Sequence, residues 1–421
     1  MKPMHILLIH QYFLEDNDGG GSRWNEMSRI WVEAGHQVTV LAGTTHYMNG
    51  NLSSSGRKSF VAQTNQNGVK VIRCHVVKSS GNSFIERLLM QFSFAFSAIW
   101  GGVFRLKGKY DIVLATSPPL FVGIAGLLIS KIKKAKFILE IRDLWPESAV
   151  ETGVLRNKLL IRAAFWLEEL LYDRAKAITV LTPAFKAVLT NQKNVRPENI
   201  WLIPNAADFT ILDKLYSDFN RIAFRKSLGL DDRFIIIYVG AHGIANHLIQ
   251  LIDAAEMLKD SLAHFLLIGD GPEKGKLTAE AKRRNLDNVT FIDTVSKSDI
   301  FKYILAADAG TSVLKRTEIF KTVYSNKTFD YFACQKPVLL AIDGVSRKLI
   351  EDANAGLYIE PENPADYAEK VLIYLKNPTL AQFHGRNGHA YARQFFDREV
   401  LAMKYLQYIQ NMLKKQSQTS P

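Results

Sequence analysis

The same alternation of short apolar strands and amphipathic helices runs through this chain twice. The run His5–His10 is an apolar strand, followed by a glycine-containing loop and a helix from about Ser22 to Ala34. Gly35 closes that helix before the strand Gln37–Ala42. Asp111–Ala115, Lys136–Ile141 and Ala177–Leu181 are further short strands, and Leu155–Ala175 has helical spacing. After Ile203-Pro204-Asn205 the pattern restarts, with strands at Phe234–Val239, His264–Ile268, Val289–Ile292, Ala309–Val313 and Pro337–Ala341 and helices between them. Strands separated by helices pair in parallel and have both faces covered. With 421 residues, too many for one core, the expectation is an α/β chain of two Rossmann-like, doubly wound domains facing across a cleft. The expected boundaries are 1–207, a charged linker 208–232, a second domain 233–395, and a C-terminal helix in 396–421 that packs back on the first domain.

Charge is spread unevenly. Residues 1–200 hold 25 Lys+Arg against 15 Asp+Glu, a balance of +10 out of the total +12. A basic first half fits an anionic partner: phospholipid, a polyprenyl diphosphate or nucleic acid. A merely solvated surface fits too. No groove-reading motif accompanies the charge, which ranks nucleic acid last. The two cysteines, Cys74 and Cys334, have neither metal-site nor disulfide spacing, so a reducing cytoplasm is expected. The opening apolar run Ile6–Ile9 is strand-length and leads into Gln11 and Glu15, unlike a signal peptide. Leu88–Phe104 is uncharged and aromatic, bounded by Arg87 and Arg105. It suits either a buried helix or one lying in the bilayer interface, with Arg105, Lys107 and Lys109 at the headgroups.

Chemistry belongs at the carboxyl ends of the strands. Gly19-Gly20-Gly21-Ser22 leads from the first strand to the first helix, where glycines admit a ligand and helix N–H groups face an anion. It is not G-x-G-x-x-G, and no acidic residue ends the second strand, so a dinucleotide cofactor is disfavoured. Asp16-Asn17-Asp18 resembles a metal-binding D-x-D but precedes the glycines and reads as a solvated loop; no metal is expected. Arg142-Asp143 follows a strand and suits either ligand contact or a buried ion pair. Gly240-Ala241-His242-Gly243 and Gly269-Asp270-Gly271-Pro272 follow successive strands of the second half. In Tyr324–Tyr331, Lys327 and Asp330 share one helix face. The lysine can neutralise phosphate and the carboxylate can hold two ribose hydroxyls, but chemistry alone favours a pair capping the helix.

The second half resembles the nucleotide-binding half of family-four retaining glycosyltransferases in these loops, in Leu266–Glu273, Asn288–Phe291, Lys327–Tyr331, Lys336–Leu339 and Ala355–Leu357. In the first half, Gly19–Gly21, Thr116–Pro119 and Arg142–Glu147 resemble the branch containing WbuB-like transferases of O-antigen and capsule assembly, some of which transfer L-fucosamine. The resemblance implies a GT-B fold, a nucleoside-diphosphate sugar as donor, retention of configuration and no cofactor. By matching positions it assigns Asp330 to the donor ribose, Lys327 to the diphosphate, and Gly20 and Gly21 to its other side. Gly271 and Val295 then border the base, Gly240 and His242 belong to the donor site, and Asp143 and Arg142 orient sugar and acceptor. The sequence departs from the family at three places: Thr322 stands where the first of two glutamates is expected, His242 and Asn246 where a basic pair is, and Arg142 where many members have histidine. Backbone N–H groups of Phe320–Val323 and the cations Lys327, Lys315 or Arg316 then have to compensate. The expected acceptor is a lipid-linked (polyprenyl diphosphate) saccharide, with the protein peripheral on the inner face of the bacterial cytoplasmic membrane. A nucleotide-sugar-binding partner subunit and a sugar-nucleotide epimerase are the rival readings.

Overall fold

A computed structural model describes residues 3–15, 22–44, 61–77, 84–216 and 218–417. The chain divides into two compact units. One contains Ser22–Pro204, the N-terminal strand and the chain from Glu399 onward; the other contains Asn205–Arg398.

The first unit is built on eight strands: β1 (His5–Ile9), β2 (Gln37–Gly43), β3 (Val61–Gln66), β4 (Val69–Cys74), β5 (Ile112–Ser117), β6 (Lys136–Ile141), β7 (Ala177–Val180) and β8 (Ile200–Leu202). Their order is β3-β4-β2-β1-β5-β6-β7-β8. All neighbours are parallel except β3 and β4. That hairpin lay outside the expected strands because β3 reads Val-Ala-Gln-Thr-Asn-Gln. Its turn, Asn67-Gly68 with φ of 50° and 78°, is the Asn-Gly signature of a tight hairpin. Central strands are apolar on both faces, as Ile6–Ile9 and Ile112–Ala115 show by having no exposed surface.

One buried ion pair ties this unit together. Arg23, at the start of helix Arg23–Glu33, meets Glu140 of β6 at 3.0 Å, with side chains 2% and 0% exposed. Arg23 also donates to the carbonyls of Ile203 and Pro204, and Trp24 donates to Glu140. The C-terminal helix Arg398–Ser417 belongs here from Glu399: Trp31 donates to the Ala402 carbonyl (2.9 Å) and Thr179 to the Tyr405 hydroxyl (2.7 Å).

The second unit has a six-stranded parallel sheet, ordered β11-β10-β9-β12-β13-β14. Its strands are β9 (Phe234–Val239), β10 (Ala263–Ile268), β11 (Val289–Ile292), β12 (Ala309–Val313), β13 (Val338–Ala341) and β14 (Gly356–Tyr358). The 208–232 stretch carries two short helices, Phe209–Leu215 and Arg221–Ser227, within this unit. Arg225 fastens the second of these to Asp308 (3.0 Å) and to the Ala306 carbonyl, so the charge that suggested a linker is used in packing.

Candidate functional site

The strand order of the second unit reverses between β9 and β12, which pair through Ile236–Ala309 and Ile237–Gly310. Beyond that point Tyr331 stands between them. Its hydroxyl accepts from Val239 N–H (3.2 Å) and lies 3.1 Å from the carbonyls of Ile237 and of Thr311. A Cβ on Gly310 would fall 2.3 Å from the Tyr331 ring, so glycine is required opposite it. Sequence reasoning placed Tyr331 in the motif but gave it no role. It props open the crevice where open α/β sheets bind ligands. Tyr331→Phe leaves buried backbone groups without a partner and is expected to destabilise the second unit by about 1–3 kcal/mol. Urea unfolding checks this, and an unchanged midpoint would contradict it.

Two loops form the crevice wall. Gly240, Gly269 and Gly271 have φ of 141°, 146° and 153°. A Cβ on Gly269 would lie 1.9 Å from the Gly240 carbonyl oxygen, and one on Gly271 would lie 2.7 Å from that of His242. These glycines therefore let the loops touch. His242 links the same loops through its backbone: its N–H donates to Asp270 (2.8 Å) and its carbonyl accepts from Glu273 N–H (2.9 Å). Its imidazole, expected at the donor, is instead fully buried near Tyr238 and Phe291, with neither ring nitrogen hydrogen-bonded.

Burial, with the nearby Lys274 and Lys327 ammonium groups, pushes the His242 pKa down to about 4. The unfolded chain therefore binds a proton near 6.5 that the folded chain refuses until about 4, and stability falls as pH drops through that window. His242→Leu is expected to remove up to one proton from the slope of stability against pH between about 6 and 4.5. Denaturation midpoints measured across that range test it, and an unaltered slope would contradict it.

Lys327 begins the helix Asn326–Ala333 and is half-buried, its Cε 3.3 Å from where a Gly240 Cβ would be. Its ammonium sits 4.7 Å from the centre of the Tyr238 ring and has no carboxylate or carbonyl partner among the described residues. Burial lowers its pKa to about 8, against the pull of Asp330. The expected Lys327–Asp330 cap does not form. Asp330 is held by Lys297 Nζ at 2.9 and 3.1 Å, which orients the carboxylate while lone pairs stay available for hydroxyl donors. A desolvated ammonium without a counter-ion, beside glycine loops and a helix N-terminus, is suited to an anion.

The other expected residues are placed less centrally. Thr322 ends a short turn, Ile319–Thr322, and its hydroxyl donates back to the Ile319 carbonyl (2.6 Å). The N–H groups of Lys321 and Val323 donate within that turn, which removes two of the proposed backbone donors. Arg316 is exposed and paired with Glu360, and Lys315 is exposed with its N–H on the Ala245 carbonyl (2.8 Å), so of these three cations Lys327 is the one packed against the Gly240 loop. Val295 precedes Ser296, the cap of helix Lys297–Ala306 that carries Lys297.

The first unit reverses its strand order between β1 and β5. His10, which sequence reasoning passed over, is buried at the end of β1. Its Nδ1 lies 2.9 Å from the Thr116 hydroxyl and its Nε2 lies 3.2 Å from Arg142 Nη1. Burial, Arg142 and Arg23 hold its pKa well below 6.5, so the ring is neutral. Because Arg142 can only donate, Nε2 accepts and Nδ1 carries the proton. A polar residue closing an apolar strand at the switch point was the available signal. Asp143 accepts from the Ser148 hydroxyl (2.8 Å), and burial raises its pKa against that bond. The buried pair considered for Arg142 and Asp143 belongs instead to Arg23 and Glu140. Next to His10, Gln11 is buried with neither amide atom hydrogen-bonded. Gly20, Gly21 and the Asp16-Asn17-Asp18 stretch lie outside the described residues. Among the described residues no group of three or more His, Cys, Asp or Glu is placed to hold a metal.

Two units, each with a largely parallel sheet whose strand order reverses at a switch point, match solved glycosyltransferases of the GT-B fold. Sucrose-phosphate synthase from Thermosynechococcus elongatus matches with a TM-score of 0.75 at 17% identity, over 98% of this chain and 100% of that one. Anabaena Alr3699/HepE, solved with UDP and glucose, matches with a TM-score of 0.70 at 18% identity, over 97% and 100%. The chain thus has the GT-B fold. Residues 18–206 match the glycosyl transferase 4-like domain and residues 220–390 the glycosyl transferases group 1 domain. The chain belongs to the family-four glycosyltransferases. Its relatives include the glycosyl transferase WcaI of Escherichia coli (strain K12), named for colanic acid biosynthesis, 22% identical over 96% of this chain and 99% of that protein.

Proposed function

We propose that the protein transfers a sugar, with retention of configuration, from a nucleoside-diphosphate sugar to a lipid-linked saccharide in the assembly of a bacterial surface polysaccharide. The observation that carries this reading is the unpaired Lys327 ammonium at the glycine-lined switch point of the second unit. There the diphosphate would meet Lys327 and the N-terminus of helix Asn326–Ala333, and the ribose would meet Asp330. Charge developing on the leaving diphosphate is stabilised by groups already in place, which lowers the barrier to an oxocarbenium-like state. The leaving phosphate takes the acceptor's proton. Arg142, held by neutral His10, and Asp143 orient sugar and acceptor.

A UDP-linked donor draws support from the UDP bound in the Anabaena structure, and a polysaccharide acceptor from the name of the WcaI relative. The resemblance of the first-half motifs to WbuB-like transferases is what supports an N-acetylated deoxyhexosamine as the sugar. The test incubates the protein with UDP-, GDP- and dTDP-sugars, with and without a polyprenyl-diphosphate-linked saccharide. Acceptor-dependent release of the nucleoside diphosphate is expected for at least one donor. Binding without transfer would favour a partner subunit, and donor conversion without acceptor an epimerase.

A further inference from the structure

The first unit leaves the outer side of one helical layer uncovered. Helix Phe84–Trp100 continues through the turn Gly101–Arg105 and packs beside helix Leu120–Lys133, with Phe92 and Phe121 ring centres 5.7 Å apart. Helix Lys158–Arg174 lies on the other side of Leu120–Lys133, where a Cβ on Gly123 would lie 2.6 Å from Leu171 Cδ1. Inward residues such as Phe94 and Ala98 have no exposed surface. The outward stripe is apolar too: Leu89, Phe92, Phe96, Trp100 and Phe104 recur at helical spacing, with Phe96 59% and Phe104 64% exposed. The neighbouring helices add Leu128 and Ile132, then Leu159 and Trp166, the last two 74% and 62% exposed. Soluble surfaces expose single apolar side chains, whereas an aligned set of this size marks an interaction site.

Charge indicates what covers it. Lys133 Nζ donates to the Leu106 carbonyl (2.6 Å), which brings the C-terminal ends of the first two helices together. Exposed Arg105, Lys107, Lys131 and Lys134 lie at those ends. Leu88–Arg105 has the length and apolarity of a membrane span, yet its inner side covers the unit's core, so it lies along a surface instead of crossing one. We propose that the outward side of these three helices docks in the headgroup region of an anionic phospholipid bilayer, with aromatic side chains in lipid and the basic ends on phosphate. An anionic bilayer neutralises those basic ends while its acyl region takes the aromatic stripe. Helix Leu120–Lys133 starts three residues after Ser117, so its N-terminal end adjoins the switch point that holds His10, Thr116 and Arg142, and its basic end lies at the opposite end of the helix.

This inference names the partner surface of the proposed transferase and rests on that reading for its biological sense. Vesicle binding needs neither donor nor acceptor sugar, so either can fail without the other. The test is co-flotation of the full chain with phosphatidylglycerol-containing and pure phosphatidylcholine vesicles. Preferential flotation with the anionic vesicles is expected, reduced by added salt. Phe96→Ser/Phe104→Ser is expected to weaken it at least about tenfold. Lys107→Glu/Lys109→Glu, at exposed sites outside the core, is expected to weaken it at least about fivefold per charge, on anionic vesicles only. No flotation of the parent protein would overturn the proposal. So would flotation unaffected by both pairs, or dimerisation in solution abolished by Phe96→Ser/Phe104→Ser.

Discussion

Lys327→Ala is expected to reduce kcat/KM for the sugar donor by about 10²–10³-fold, a loss of the size seen when one preorganised stabilising group is removed. The folded state should survive, because the ammonium holds no internal carboxylate or carbonyl that would be orphaned. Its pKa of about 8 adds a signature. The group is lowered on folding, so the free protein loses the proton as pH rises through about 8, and an anionic donor then loses its counter-ion. Donor affinity is therefore expected to fall above pH 8 in the parent protein and to show no such break in Lys327→Ala. Calorimetric titration with the nucleoside diphosphate between pH 6.5 and 9.5 measures both. Equal affinity in the two proteins would remove Lys327 from the site.

The largest effect on stability is expected at Arg23. In Arg23→Met the Glu140 carboxylate stays buried with the Trp24 indole N–H as its one hydrogen-bond donor among the described residues, and the Ile203 and Pro204 carbonyls lose the Arg23 donor. Breaking one side of a buried pair costs about 3–5 kcal/mol. Urea unfolding of the first unit should show that loss, and Arg23→Met/Glu140→Leu should recover most of it, since both charges are then gone. A single variant as stable as the parent would mean that the pair carries no strain on its removal. The pair also fixes the start of helix Arg23–Glu33.

The repeated strands of both sheets were legible because buried parallel strands are continuous apolar runs. Phe234–Val239 and Ala263–Ile268 announce themselves in this way. The polar edge strand β3 was not, since it is covered on one side only and its signal lay in the Asn67-Gly68 turn. Glycines at the ends of β9 and β10 also pointed to the site, because their φ values admit no other residue without strain. Side-chain partnership was the illegible part. Asp330 pairs with Lys297, far away in sequence, and spacing along one helix gives no sign of it. His242 and His10 are both histidines at strand ends, yet one ring is sealed in the protein and the other holds Arg142. That difference depends on which side chains close over each ring, which emerges only from the folded packing.

The central claim is that the switch point of the second unit holds the nucleoside diphosphate of a sugar donor. Hydrogen–deuterium exchange with and without a saturating donor tests it most directly. Slowed exchange is predicted at residues 240–243, 269–274 and 324–331, the two glycine loops and the helix that carries Lys327 and Asp330. Saturable donor binding that leaves those three segments unprotected would contradict it.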